Sequence, residues 1–166
     1  MPLRRSTSLV SQAPPRPSLR TSAAATLTDT AALLALVGIG VASGHVLLIP
    51  PMAASMALIA GAPQLPLSQP RSVVGGQILS ALTGLAVGSL SHELWAAALA
   101  GGLALGVMLL TRTAHSPAAA TAVIAAGVSH GAGGFLACTA LAAAVLVAFG
   151  LLRARLRGAP YPSYWW

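Results

Sequence analysis

Charge is what this sequence most conspicuously lacks: 7% of its 166 residues are charged, and only Asp29 and Glu93 are acidic. Soluble domains carry roughly 25% charged residues, so this chain cannot cover a soluble globule with polar surface. Lysine is absent, and all nine basic residues are arginine. The single cysteine, Cys138, excludes a disulfide framework and reads as a small packing residue within an apolar stretch. His45, His92, His115 and His130 are far apart, no His-x-x-x-His spacing occurs, and Cys138 has no evident partner. No metal, cofactor or enzymatic activity is therefore expected.

What is present is hydrophobicity, at 56% of residues with a mean hydropathy of +0.81. Crossing the hydrocarbon takes about 20 mostly apolar residues in a helix, and the windows 31–50, 72–90, 94–110 and 132–152 supply that or nearly that. The expected fold is all-α and integral to the membrane. It has four full transmembrane helices and two short proline-initiated, membrane-embedded helices, arranged as a two-fold internal repeat. Residues 1–28, rich in Ser, Thr, Pro and Arg, are expected to form a disordered cytoplasmic extension; an organellar transit peptide has a similar composition. Residues 29–152 form the transmembrane domain, and 153–166 a basic and aromatic tail.

The repeat is visible as a phrase that occurs twice, about 66 residues apart: Pro51-Met-Ala-Ala-Ser-Met-Ala-Leu-Ile-Ala-Gly61 and Pro117-Ala-Ala-Ala-Thr-Ala-Val-Ile-Ala-Ala-Gly127. Paired short segments at corresponding places in two halves point to a binding site near the membrane midplane. Proline suits the first helical position, so Pro51 and Pro117 are expected to start the short helices, with Ser116 as an N-cap. Unpaired N–H groups and the positive dipole end at each start would then form a site for a small anion, with Ser55 and Thr121 at matching places one turn in. Each hydroxyl has a plainer alternative, a bond to the preceding helical turn.

The loop before the second short helix places Arg112 and His115 beside that site. Arg112 attracts the anion or snorkels to headgroups. His115 donates to the anion, carries a coupled proton, or serves only as a cap or interhelical bond. Gln69, Arg71 and Gln77 form a weaker polar group, in which Gln77 matters most because an amide inside an apolar helix needs a partner.

The remaining features concern packing and orientation. Gly76, Ser80, Gly84 and Gly88 recur every fourth residue, as do Gly40 with Gly44 and Gly102 with Gly106; such stripes let helices approach within one subunit, or make an oligomer seam. Arginines flank the first and last spans, which places both termini in the cytoplasm of a multi-pass protein in the cell inner (plasma) membrane, an organellar membrane being the alternative. Short segments that dip and return give four crossings; short helices completed by extended chain give six, with all arginines inside. Charge favours six and length favours four. Nucleic acid is not an expected partner. The tail aromatics Tyr161, Tyr164, Trp165 and Trp166 suit the headgroup zone, the alternative being a tail that folds back to brace the cytoplasmic mouth.

The stretches PLSQPRSVVGGQILSALTG (66–84), TRTAHSPAAATAVIA (111–125) and YPSYWW (161–166) resemble the HPP family of small integral membrane proteins, named for a His-Pro-Pro motif. The resemblance implies four membrane spans and a small-anion carrier, since plant chloroplast and cyanobacterial relatives are associated with nitrite transport. Here the motif is His115-Ser116-Pro117, the glycines of the family's short repeats are Ala53 and Ala119, and a common histidine after the Gly-Gly pair is Gln77. Each alanine adds a methyl where a ligand or backbone approaches closely; Ala53, Ala54 and Ala119 count with the candidate site. The expected partners are the lipid bilayer, a small inorganic anion and a homo-oligomeric copy. A small-anion channel and a non-transporting scaffold or regulatory subunit are the competing functions.

Overall fold

The computed structural model describes residues 15–158 and 160–165, and every regular element among them is helical. The order is α1 (Leu19–Ser43), α2 (Pro50–Gly61), a 3-10 turn (Pro66–Ser68), a π turn (Arg71–Gly75), α3 (Gly76–Gly88), α4 (Leu94–Leu110), α5 (Ser116–Ala126) and α6 (Ala132–Arg157).

Local chemistry sets these boundaries. Ser18 caps α1 by accepting the Thr21 N–H at 3.2 Å, and Gly44 ends it at φ 72°, a left-handed conformation that glycine adopts readily. Pro50 and Pro51 cannot continue a helix interior and instead open α2. The first helix therefore lies earlier than the window 31–50, because the capped, alanine-rich stretch from Leu19 is helical while 44–49 links it to the proline pair. Residues 19–28 are thus helical, where a disordered extension over 1–28 was expected; residues 1–14 of that stretch lie outside the described residues.

The expectation of four full spans is met in part. Among the described residues, only α1 and α6 combine the length and hydropathy needed to cross a bilayer. The 17 residues of α4 reach about 25 Å at 1.5 Å per residue, short of the roughly 30 Å hydrocarbon. α3 has 13 residues and continues the five-residue π turn before it.

Two apolar cores form. One joins Ala32 and Leu36 of α1, Met52, Met56 and Ile59 of α2, and Ala142, Ala143 and Leu146 of α6. The other joins Val87 of α3 to the alanine faces of α4 and α5. Thus α3 packs with α4 and α5, α6 packs with α1 and α2, and contacts between α2 and α5 and between α3 and α6 close the seam. The α3 stripe works as expected within the subunit: a Cβ on Gly88 would stand 2.6 Å from the Ala126 carbonyl oxygen, and one on Gly84 2.6 Å from the Ala125 methyl. A Cβ on Gly150 of α6 would likewise stand 2.5 Å from Ile59 of α2. Gly102 and Gly106 have nothing within 4 Å, so that stripe does not pack inside the subunit. Gly40 lies against the His45 carbonyl of its own chain rather than against another helix.

Candidate functional site

A cluster of four polar side chains sits at the seam between the two apolar cores. Ser55 comes from α2, Gln77 from α3, Thr121 from α5 and His115 from the residue preceding α5; all four are buried. Gln77 ties both short helices together: its Nε2 donates to Ser55 Oγ at 2.9 Å, and its Oε1 accepts from Thr121 Oγ1 at 2.5 Å. Ser55 Oγ lies 2.7 Å from His115 Nε2 and 2.8 Å from the Pro51 carbonyl oxygen. His115 Nδ1 lies 2.7 Å from the carbonyl oxygen of Leu67. Buried polar groups in a low-dielectric surround each cost about 1–3 kcal/mol if left unpaired, and the mutual bonding of these four offsets that cost.

One hydroxyl nearby is not so satisfied. Ser80 lies one turn beyond Gln77 on the stripe that packs on α5, is fully buried, and its Oγ has no hydrogen-bond partner among the described residues. In the sequence it stands out only as a small residue of the packing stripe. Buried hydroxyls normally find a partner, and this one has a free donor beside the cluster.

The helix starts themselves supply fewer donors than expected. α2 opens with Pro50 and Pro51, which have no N–H, and the Met52 N–H is bonded to the Ile49 carbonyl at 2.8 Å. In α5, Pro117 lacks an N–H and Ala118 donates to the His115 carbonyl at 2.9 Å, which leaves Ser116. Ser116 is also not the N-cap: His115 occupies that position without a side-chain cap bond, and Ser116 is the first helical residue. The donors that gather at the seam are thus side chains rather than a ring of backbone amides.

The other sequence-predicted residues divide by position. His115, Ser116 and Ala119 line a cavity of about 460 Å³ with Leu67, Gly102 and Met108, between α4 and the start of α5. Ala53 is half-buried on α2, while Ala54 is exposed and stands outside the cluster. Arg112 is exposed with φ 59° and is not brought to the cluster. Arg71 donates to the Thr111 carbonyl at 2.9 Å.

The segment that carries Leu67 is held firmly from below. Ser68 Oγ donates to the Ala62 carbonyl at 2.8 Å, and Gln69 Nε2 donates to Pro63 and Leu65 carbonyls at 2.9 and 3.0 Å. The tail clamps it: Tyr161 Oη donates to the Ser68 carbonyl at 3.0 Å, and the Ser163 N–H donates to Gln69 Oε1 at 2.8 Å. Burial raises the Tyr161 phenol above its ordinary value, so it stays a donor. The tail thus folds back onto residues 68–69 through Tyr161 and Ser163, while Tyr164 and Trp165 are exposed. Trp166 lies outside the described residues.

A family model described as HPP, transmembrane region, matches residues 14–162. The chain belongs to this HPP transmembrane family. It is similar to a curated transmembrane protein of Dictyostelium discoideum, with 35% identity over 130 residues that cover 72% of this chain. The chain spans 45% of the length of that relative. No solved structure matches it. Family membership and the two membrane-length helices make it a membrane protein that sits in a lipid bilayer, and the polar cluster is buried within its matched transmembrane region.

Proposed function

We propose that this HPP-family chain is a small-anion transporter, with nitrite as the first candidate, and that the anion passes the Ser55–Gln77–His115–Thr121 cluster. The observation that carries this reading is the bridging of both short helices by one buried amide, Gln77. Hydroxyl, amide and imidazole donors are the groups that replace the hydration of a small anion without adding a fixed charge, and Ser80 brings a further unbonded hydroxyl. The donors bond to one another; an anion would take the second Gln77 amide hydrogen and draw the Thr121 hydroxyl away from Gln77 Oε1.

The internal repeat belongs to the same proposal. Ser55 and Thr121 occupy equivalent places in the two phrases, and the Gly84–Ala125 and Gly150–Ile59 approaches are equivalent in the same register. Two halves that exchange their last helix, with a site between them, suit alternating access. We read the protein as multi-pass in the inner (plasma) membrane with cytoplasmic termini, from its flanking arginines, and as a transporter rather than an enzyme. The open Gly102–Gly106 face of α4 supports a homo-oligomer.

The rival reading is a scaffold, in which the cluster serves only to pin α2, α3 and α5 together; its self-satisfaction favours that. Uptake of nitrite, nitrate, bicarbonate and chloride into proteoliposomes decides between them. Saturable uptake by the native protein, lost in Thr121→Val and kept in Thr121→Ser, supports the transporter. Absence of uptake of every anion by folded native protein supports the scaffold.

A further inference from the structure

The hydrogen-bond pattern around His115 has two complete solutions that differ by one proton. The Leu67 carbonyl only accepts, so Nδ1, 2.7 Å away, carries a hydrogen. The Ser55 hydroxyl has one hydrogen and two acceptors in reach, His115 Nε2 at 2.7 Å and the Pro51 carbonyl at 2.8 Å. With a neutral ring, the hydroxyl points its hydrogen at Nε2. With a proton on Nε2, that N–H donates to Ser55 Oγ and the hydroxyl turns to Pro51. The two lone pairs of Ser55 Oγ then receive Nε2–H and the Gln77 amide together. Each ring and hydroxyl group is satisfied in both states, and the change needs only rotation about one C–O bond.

What the surround lacks is negative charge. Facing His115 are Ser55 of α2, Leu67 of the 3-10 turn and Gly76 of α3, with Pro51 and Gln77 reached through Ser55 and Met108 of α4 lining the same cavity, none of them charged or titratable. α5 adds Thr121 through Gln77, and α6 has no ionisable side chain between Cys138 and Arg153. The charged groups on adjoining segments are the cations Arg71 and Arg112, and the chain's two acids lie elsewhere, on α1 and at the start of α4. A buried imidazolium without a counter-charge is costly; an anion bound on Gln77 and Thr121 would supply one.

Resting on the transport reading above, we propose that His115 binds the coupling ion, a proton, and that proton and a monovalent oxyanion load together as an electroneutral symport. The proton comes from the loading side to Nε2, the Ser55 hydroxyl rotates to Pro51, and proton and anion leave together on the far side. Each species raises the affinity for the other by the same factor, as linkage requires.

The test is nitrite and nitrate uptake into proteoliposomes, with protein-free vesicles as background and the membrane potential clamped. Native uptake is expected to rise several-fold under an inward proton gradient and to ignore the potential, whereas His115→Gln does not respond to the gradient. Native uptake that is present yet indifferent to the gradient overturns the coupling and leaves the transport reading standing. Absence of uptake under every condition overturns both. Nitrogen-15 spectra of the histidine rings in nanodiscs, assigned by subtracting His115→Gln, give a readout independent of flux. Nitrite added at constant pH is expected to convert the His115 ring to its doubly protonated form, and a ring that stays neutral overturns the proposal.

Discussion

Ser55 and His115 are 60 residues apart in sequence, and their side chains meet at 2.7 Å in the buried seam between the two apolar cores. His115 is in turn anchored through Nδ1 to the Leu67 carbonyl, so the ring is oriented by a backbone group on one side and faces a hydroxyl on the other. A histidine held at both nitrogens is fixed in tautomer and direction, and that is what gives the seam a defined chemistry.

Thr121→Val keeps shape and removes the hydroxyl that donates to Gln77 Oε1. The stranded amide oxygen is expected to lower stability by about 1–3 kcal/mol and to abolish uptake. Thr121→Ser is expected to restore both. Thermal unfolding in detergent, read beside uptake, checks the pair.

The glycines separate by what surrounds them. Gly88→Val drives a side chain against the Ala126 backbone, 2.6 Å from the Cβ position, where no flexible group can yield. Loss of about 1–3 kcal/mol or failure to fold is expected. Gly106→Ala meets nothing within 4 Å and is expected to leave the melting temperature of the solubilised subunit unchanged or slightly raised.

Much of this was legible in the sequence, for identifiable reasons. Prolines punctuate a helix whatever surrounds it, so Pro51 and Pro117 located the short helices closely. Gln77 announced itself because an amide in an apolar helix must find a partner. The start of α1 was hidden by a Ser-, Thr- and Arg-rich composition that resembles disorder, although Ser18 provides a cap and the alanines favour helix. The Leu67 carbonyl gave no signal, since every residue carries one and only the fold aims it. The loss of helix-start donors was implicit in Pro50 standing beside Pro51, two consecutive residues without an N–H.

Tyr161→Phe removes one hydrogen bond to the Ser68 carbonyl and leaves the ring packing in place. A cost of about 0.5–1.5 kcal/mol is expected, expressed as faster amide hydrogen exchange across residues 62–70, with exchange in α4 unchanged. Equal exchange in both proteins would show that the tail does not brace this segment.

Arg112 is exposed and stands apart from the cluster. Arg112→Gln is therefore expected to retain saturable uptake within a few-fold of the native protein. A loss as complete as that of Thr121→Val would move the anion site out to the loop.

The most direct single measurement is an anion titration of thermal stability, comparing native protein with Gln77→Met, which keeps side-chain volume and removes the bridging amide. A ligand that binds only the folded state raises stability as its concentration passes Kd. Nitrite is expected to raise the native melting temperature saturably and to leave Gln77→Met unchanged, with sulfate as the control for ionic strength. Equal stabilisation of both proteins would contradict an anion site at the seam.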